Sequence, residues 1–197
     1  MKIRTSIAAF GLALYLLGQP AMAGPLEDAR VASDKGDHAT ALEPIRLFAE
    51  KGNADAQYYL GAKYNSGQGV PQDFVEAAKW YRLAANQGLA QAQSDLGDLY
   101  KSGLGLTQDF TEAAKWYRLA AGQGNAYAQY LLGFMYKDGY GVPQDYVQAY
   151  QWVNLADISG YLAAKGLSDV LSKQMTPEQI AEAQRLAQEW LATHPKK

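Results

Sequence analysis

Residues 60–88 read LGAKYNSGQGVPQDFVEAAKWYRLAANQG, and nearly the same string occurs twice more, each time 36 residues further along the chain. Two glycines, an aspartate and a tryptophan keep their places in all three copies. They are Gly61, Gly97 and Gly133; Gly69, Gly105 and Gly141; Asp73, Asp109 and Asp145; and Trp80, Trp116 and Trp152. A fixed period of this length indicates stacked copies of one supersecondary unit. The sequence therefore predicts a repeat architecture.

The first half of each copy has the periodicity of a helix. Ala56, Leu60 and Tyr64 are spaced i, i+4 and i+8, which places them on one stripe of a helix over about residues 55–66. Gly61 lies beside that stripe, at a cost of about 1 kcal/mol relative to alanine. Because each copy keeps this glycine, we expect a neighbouring helix to approach closely there.

The second half of each copy predicts another helix after a loop. Gly67 is suited to a left-handed C-terminal cap, and Pro71 cannot continue the helix. Asp73 is a natural N-cap, and Glu76 three residues later completes a capping-box pattern. The apolar face that follows consists mostly of small residues, which favour close packing: Phe74, Ala77, Ala78, Tyr81, Ala84 and Ala85.

The whole chain is predicted to be all-α. We expect one right-handed α-solenoid of stacked antiparallel helix pairs over residues 24–197, with N- and C-terminal capping helices. The repeats are predicted at about residues 26–52, 54–88, 90–124 and 126–160, followed by a C-terminal cap over 161–192. The first copy is atypical: it lacks the Gly-x-Gly-Val loop and has Pro44 in place of the tryptophan. Atypical end units are usual in solenoids.

The first 23 residues have the pattern of a cleavable signal peptide. Lys2 and Arg4 precede an apolar run over residues 7–17, and Ala21 and Ala23 supply the small side chains of a cleavage site. We expect cleavage after Ala23 and a periplasmic or secreted protein without membrane insertion. An uncleaved amphipathic anchor is the alternative.

Composition and charge exclude several classes of function. The 197 residues carry a formal net charge of −2, which becomes −4 when Lys2 and Arg4 leave with the signal segment. A nucleic-acid partner is therefore not expected. The chain has no cysteine, so neither disulfides nor a lipid anchor on cysteine is available. We expect a monomer held together by apolar packing.

The repeated string resembles the Sel-one-like repeat, a relative of the tetratricopeptide repeat with a longer loop between its helices. Its pattern is Leu-Gly-x-x-Tyr-x-x-Gly-x-Gly-Val-x-Gln-Asp-Phe/Tyr-x-x-Ala-x-x-Trp-Tyr-x-x-Ala-Ala-x-x-Gly, with Leu106 and Thr107 departing from it in the middle copy. The resemblance implies a non-enzymatic scaffold for protein–protein interaction, acting as an adaptor, regulator or assembly factor in the cell envelope. The alternative that it implies is a penicillin-binding or cell-wall-active hydrolase. The cysteine pairs of the members linked to that activity are absent here.

Catalytic, metal and cofactor sites are not indicated by the sequence. The repeated aspartates, one per copy, are better explained as helix caps than as catalytic carboxylates or metal ligands. The Gly-x-Gly loop delivers an aspartate to the helix N-terminus, where its charge would repel a phosphate. His38 and His194 are the only histidines, too few for a metal cluster or a credible triad. We therefore expect no enzyme, no metal and no cofactor.

Functional information is expected where the copies differ, because the shared positions are explained by folding. In the first helix of each copy, the differing positions run from tyrosines through aspartates to an apolar aromatic end. We predict that they line a groove for a protein or peptide segment, with the aspartates selecting a basic segment. The predicted groove residues are Tyr58, Tyr59, Asp95, Asp98, Tyr130, Phe134 and Met135. Two alternatives stay open: Leu131 and Phe134 pack against the next repeat, or the molecule is a passive spacer.

Overall fold

A computed structural model describes residues 23–194, and within this range every regular element is a helix. The predicted all-α solenoid is confirmed. The predicted signal peptide, apart from Ala23, lies outside the described residues, so its cleavage stays a prediction. The helices are α1 (Ala23–Asp34), α2 (His38–Glu50), α3 (Ala54–Ser66), α4 (Phe74–Asn86), α5 (Ala90–Ser102), α6 (Phe110–Gly122), α7 (Ala126–Asp138), α8 (Tyr146–Ile158), α9 (Leu162–Ser172) and α10 (Pro177–Thr193).

The helices stack in chain order. From α1 to α9, consecutive helices pack against one another, so the hydrophobic core is a row of clusters along the stack. The last helix, α10, departs from this order and folds back onto α8. No helix within residues 23–194 is long and apolar enough to cross a membrane.

The repeated helical glycine permits close packing within each pair, as predicted. A Cβ atom on Gly61 would lie 2.7 Å from the ring of Tyr81, and one on Gly97 would lie 2.7 Å from the ring of Tyr117. On Gly133 it would lie 2.5 Å from Val153 and 2.9 Å from the backbone carbonyl of Ala149. These distances leave no room for a side chain.

The predicted caps form, but the capping box predicted at Asp73 does not, and none forms at Asp109 or Asp145. Gly67 takes the left-handed conformation at φ 74° and ends α3. The Asp73 carboxylate accepts hydrogen bonds from the backbone N–H groups of Val75 and Glu76. Glu76 pairs instead with Lys79, so it does not return a bond to the N-cap. Within the described helices, the complete capping box is at Thr176, which begins α10.

The Gly-x-Gly loops join successive repeats. A Cβ atom on Gly105 would collide with the backbone of Phe74 in the preceding repeat, and one on Gly141 would collide with the backbone of Phe110. A Cβ atom on Gly69 would lie 3.0 Å from the Cβ atom of His38, at the start of α2. The loop of each repeat therefore rests on the N-terminus of the second helix of the repeat before it. These glycines have φ between 67° and 81°, which a side chain would also disfavour.

Glutamine side chains, alternately buried and exposed, form a ladder that is a second link between repeats and was not predicted from the sequence. The Nε2 of Gln57 donates to the carbonyl of Ala49, at the C-terminal end of α2. Gln87 in turn donates to the side-chain oxygen of Gln57. Gln93 and Gln123 repeat this arrangement in the next copy. The ladder satisfies carbonyls that a helix end leaves without partners.

Candidate functional site: a recess between the first helices of the repeats

Two adjoining cavities lie between α1, α3 and α5. The larger has a volume of about 390 Å³ and the smaller about 280 Å³. Asn65, Tyr81 and Asp95 line both cavities. The two cavities therefore form one continuous recess. Four of the seven predicted groove residues line it: Tyr58, Tyr59, Asp95 and Asp98.

Tyrosine side chains form the wall of the recess. The ring of Tyr58 stacks on that of Tyr81 at a centroid distance of 5.7 Å and meets Tyr59 at the same distance. Burial, followed by the nearby charge of Asp95, raises the pKa of Tyr58. These tyrosines are therefore neutral and present both an aromatic surface and hydroxyl groups.

Asp95 lies where the two cavities meet. Its Oδ1 accepts a hydrogen bond of 3.0 Å from Gln91 on the same helix. Burial raises the pKa of Asp95 to about 6, and the like charge of Asp98 acts in the same direction. Hydrogen bonds from Gln91 and Tyr58 oppose this shift without cancelling it. The carboxyl group therefore carries an unfavourable charge at neutral pH, and a hydrogen-bond donor from a partner would relieve it.

Asp98 is already bonded within the protein. It accepts hydrogen bonds from Tyr117 at 2.7 Å and from Tyr127 at 3.0 and 3.1 Å, and it pairs with Lys101 at 2.8 Å. Its partners lie on α5, α6 and α7. The geometry therefore favours Asp98 as a structural tie between repeats rather than as a free charge that selects a basic segment.

The three predicted residues on α7 do not line the recess. Tyr130 packs against Tyr161 at 5.1 Å, and Phe134, which is 38% exposed, stacks with Tyr140 at 6.3 Å. The prediction that Met135 lines a surface groove is wrong. Met135 is 2% exposed because it belongs to the hydrophobic cluster between α6 and α7. Its equivalent in the preceding copy, Leu99, is buried in the same way.

Lys63 belongs to the recess, although the sequence analysis did not select it. It is 4% exposed, and its Nζ contacts Ser33 Oγ and lies 3.3 Å from His38 Nδ1. Burial lowers its pKa. Comparison of the copies would have found it, because Leu99 and Met135 occupy the same position.

The histidines and acidic residues form no metal site in the described range. No group of three potential metal ligands occurs within residues 23–194. His38 lies beside Lys63, whereas His194 stacks on Trp190 at the far end of the chain.

The structure is thus a stack of helix pairs with a recess lined by polar and aromatic side chains. The Sel1 repeat model matches residues 54–89, 90–125 and 126–156, so the chain belongs to the Sel1 repeat family. Proteins of this family generally serve as non-enzymatic scaffolds for protein–protein interaction.

Two solved structures are similar to the chain. The crystal structure of a Sel1 repeat protein from Oxalobacter formigenes is 31% identical, with a TM-score of 0.71, and the match covers 74% of this chain and 60% of that one. The second is c5321, a protective antigen present in uropathogenic Escherichia coli strains that displays an SLR fold. It is 28% identical, with a TM-score of 0.62, and the match covers 88% of this chain and 46% of that one. The chain thus spans less than two thirds of either relative. No curated protein matches it.

Proposed function

We propose that this protein is an exported, non-enzymatic adaptor of the cell envelope that binds a segment of a partner protein in the recess. The observation that carries the proposal is the tyrosine wall around Asp95. Tyr58, Tyr59 and Asp95 occupy positions at which the copies differ, so the stacking of repeats does not require them. Half-buried tyrosines give a large contact area with little loss of side-chain entropy.

The partner segment that fits best has an apolar or aromatic side chain and a hydrogen-bond donor. The side chain would lie against Tyr58 and Tyr59, and the donor would meet Asp95. Asp98 contributes less because its oxygens already have intramolecular donors.

Site-specific photocrosslinking in the native host tests the binding surface. Ala62 lines the recess, and a benzoylphenylalanine at this position should capture one discrete partner. The matched control places the same group at Ala181, an exposed position on α10. We expect capture from position 62 alone, and loss of that capture when Tyr58 and Tyr59 are both changed to alanine. Identical products from both positions, or none from position 62, would contradict the proposal.

The export part of the proposal rests on the pattern of the first 23 residues. N-terminal sequencing of the protein from the extracytoplasmic fraction should begin at Gly24. A protein that begins at Met1 and stays with the cytoplasmic fraction would refute export.

A further inference from the structure

Lys63 is a buried cation at a position that otherwise belongs to the core. Its equivalents, Leu99 and Met135, are 4% and 2% exposed and pack in apolar clusters. Lys63 is as deeply buried, at 4% exposed. A buried ammonium group costs free energy unless an opposite charge compensates it. The repeat itself therefore gives no reason for a lysine here.

No carboxylate forms an ion pair with Lys63 within the part of the chain that the structure describes. The ion pairs between residues 23 and 194 do not include it. Its polar contacts are the neutral Ser33 hydroxyl and the His38 ring. Asp34 on α1 lies 3.8 Å from Arg30, and its charge raises the pKa of Lys63, but the opposing effect of burial is larger.

Lys63 and Ser33 both line the larger cavity, and the rings of Tyr58 and Tyr59 line it too. We propose that this end of the recess binds a carboxylate of the partner segment, with Lys63 as its charge partner and Ser33 as a neutral donor. The proposal deepens the proposed function and rests on it, because it supplies the chemistry of one group on the partner. The carboxylate is placed at Lys63 and Ser33 because Asp34 and Asp95, which line the same cavity, would repel it.

The site can be tested with small probes, without the partner. N-acetyl-tyrosine offers an α-carboxylate beside an aromatic ring, and N-acetyl-aspartate α-amide offers a side-chain carboxylate. N-acetyl-tyrosine amide offers the ring without the charge. In a titration of ¹⁵N-labelled protein followed by NMR, at least one carboxylate probe should cause saturable shifts around Ser33 and Lys63, and the amide should not. The stronger of the two carboxylate probes identifies the source as a chain terminus or a side chain.

The variant Lys63→Met gives the repeat at residues 54–88 the side chain that Met135 supplies at the same position of the repeat at residues 126–160. We expect it to bind the carboxylate probe about tenfold or more weakly, because a charge-assisted hydrogen bond is lost. Its melting temperature should equal or exceed that of the wild type, because a buried charge is removed. The control is Lys79→Met, an exposed lysine paired with Glu76 on α4, which should bind the probe like the wild type.

Three results would overturn the inference: no saturable shift with either carboxylate, equal shifts with the amide, or unchanged binding by Lys63→Met. The probes do not depend on the partner, so failure here is distinguishable from failure of the proposed function. Crosslinking from position 62 without carboxylate binding would leave the adaptor proposal intact and remove this inference alone.

Discussion

Gly97 illustrates how one missing side chain fixes the packing of a helix pair. A Cβ atom there would lie 2.7 Å from the ring of Tyr117, which is 0% exposed and is held by its hydrogen bond to Asp98. We expect Gly97→Ala to lower the free energy of unfolding by about 2 kcal/mol, since overpacking a rigid core outweighs the gain in helix propensity. Urea denaturation measures this difference.

Gly122 provides the matched control for this prediction. It is the last residue of α6, and an added Cβ would meet nothing within 4 Å. Gly122→Ala should therefore raise the free energy of unfolding, by up to about 1 kcal/mol. If the two variants changed stability equally, close approach would not be the reason for the repeated glycine.

Asp95 gives a pH-dependent prediction. Its pKa in the folded protein is raised from 3.8 to about 6, so between these values the folded state holds more protons than the unfolded state. Stability should therefore fall as pH rises through this window, and the loss should be complete above pH 6. Asp95→Asn should remove this dependence and raise stability at pH 7 by about 1–2 kcal/mol. Thermal unfolding between pH 4 and pH 7 tests it.

Asp98→Asn is the control for this experiment because the side-chain oxygens of Asp98 accept hydrogen bonds from residues on three helices. Loss of the Asp98 carboxylate should weaken the bonds to Tyr117, Tyr127 and Lys101. The substitution should therefore destabilise the protein by about 1–3 kcal/mol at pH 7. Stabilisation by both substitutions would contradict the different roles assigned to the two aspartates.

The residues that the sequence predicted correctly are those whose roles are local. Gly67 ends a helix and Asp73 caps one through contacts with residues close in the chain, so their types and spacing were sufficient. Lys63, Asp98 and Met135 depend on neighbours from other repeats. No role was predicted for Lys63, whereas Asp98 was predicted to be a free charge and Met135 to line a surface groove.

At the scale of elements, the glutamine ladder is interrupted in the last full repeat. Gln129 donates to the carbonyl of Ala121, but its Oε1 is buried without a hydrogen-bond partner among the described residues. In the two earlier copies, Gln87 and Gln123 supply the missing donor. Ser159 occupies their position, with nearly the same backbone conformation, and its side chain is too short to reach.

We expect Ser159→Gln to complete the ladder and to raise the free energy of unfolding by about 1 kcal/mol, because a buried acceptor gains a donor. Chemical denaturation of the single variant gives the magnitude. In the background of Gln129→Leu the same substitution should have no effect, because the acceptor is gone. A gain of equal size in both backgrounds would show that the ladder is not the cause.

This link between elements could not be predicted from composition or periodicity alone. A glutamine next to an alanine stripe is typical of a solvent-exposed boundary, and only the contact with the preceding helix end shows why it is buried. The loop contacts of Gly105 and Gly141 also could not be predicted from the sequence alone. Their repetition was visible in the sequence, but the backbone of Phe74 or Phe110 that excludes a side chain belongs to the previous repeat.

At the scale of the whole molecule, the two ends of the stack differ, because at the C-terminal end α10 packs back against α8. The ring of Trp190 on α10 packs against the ring of Trp152 on α8 at a centroid distance of 6.5 Å. A C-terminal cap was predicted over residues 161–192. That it would fold back onto α8 was not predicted, because an amphipathic stripe does not specify which neighbour it covers.

The leucines at one position of the repeat differ in exposure between α8 and the equivalent helices. Leu47, Leu83 and Leu119 are 49%, 46% and 52% exposed, whereas Leu155, the equivalent residue on α8, is 0% exposed. The helices α4 and α6 pack between the helices that precede and follow them, and α8 has α10 in addition. We therefore expect that α10, and not the repeat itself, buries Leu155.

The same substitution at two equivalent positions tests this explanation. Leu155→Ala should lower the free energy of unfolding by about 3 kcal/mol, because it leaves a cavity under α10, and Leu119→Ala should cost less than about 1 kcal/mol because its side chain is half exposed. In a chain that ends after Lys173, the cost of Leu155→Ala should fall to that of Leu119→Ala. Both substitutions are made in the full chain and in the shortened chain. Urea denaturation of each variant and of its own parent measures the cost. An undiminished cost in the shortened chain would show that the repeat core, and not α10, buries Leu155.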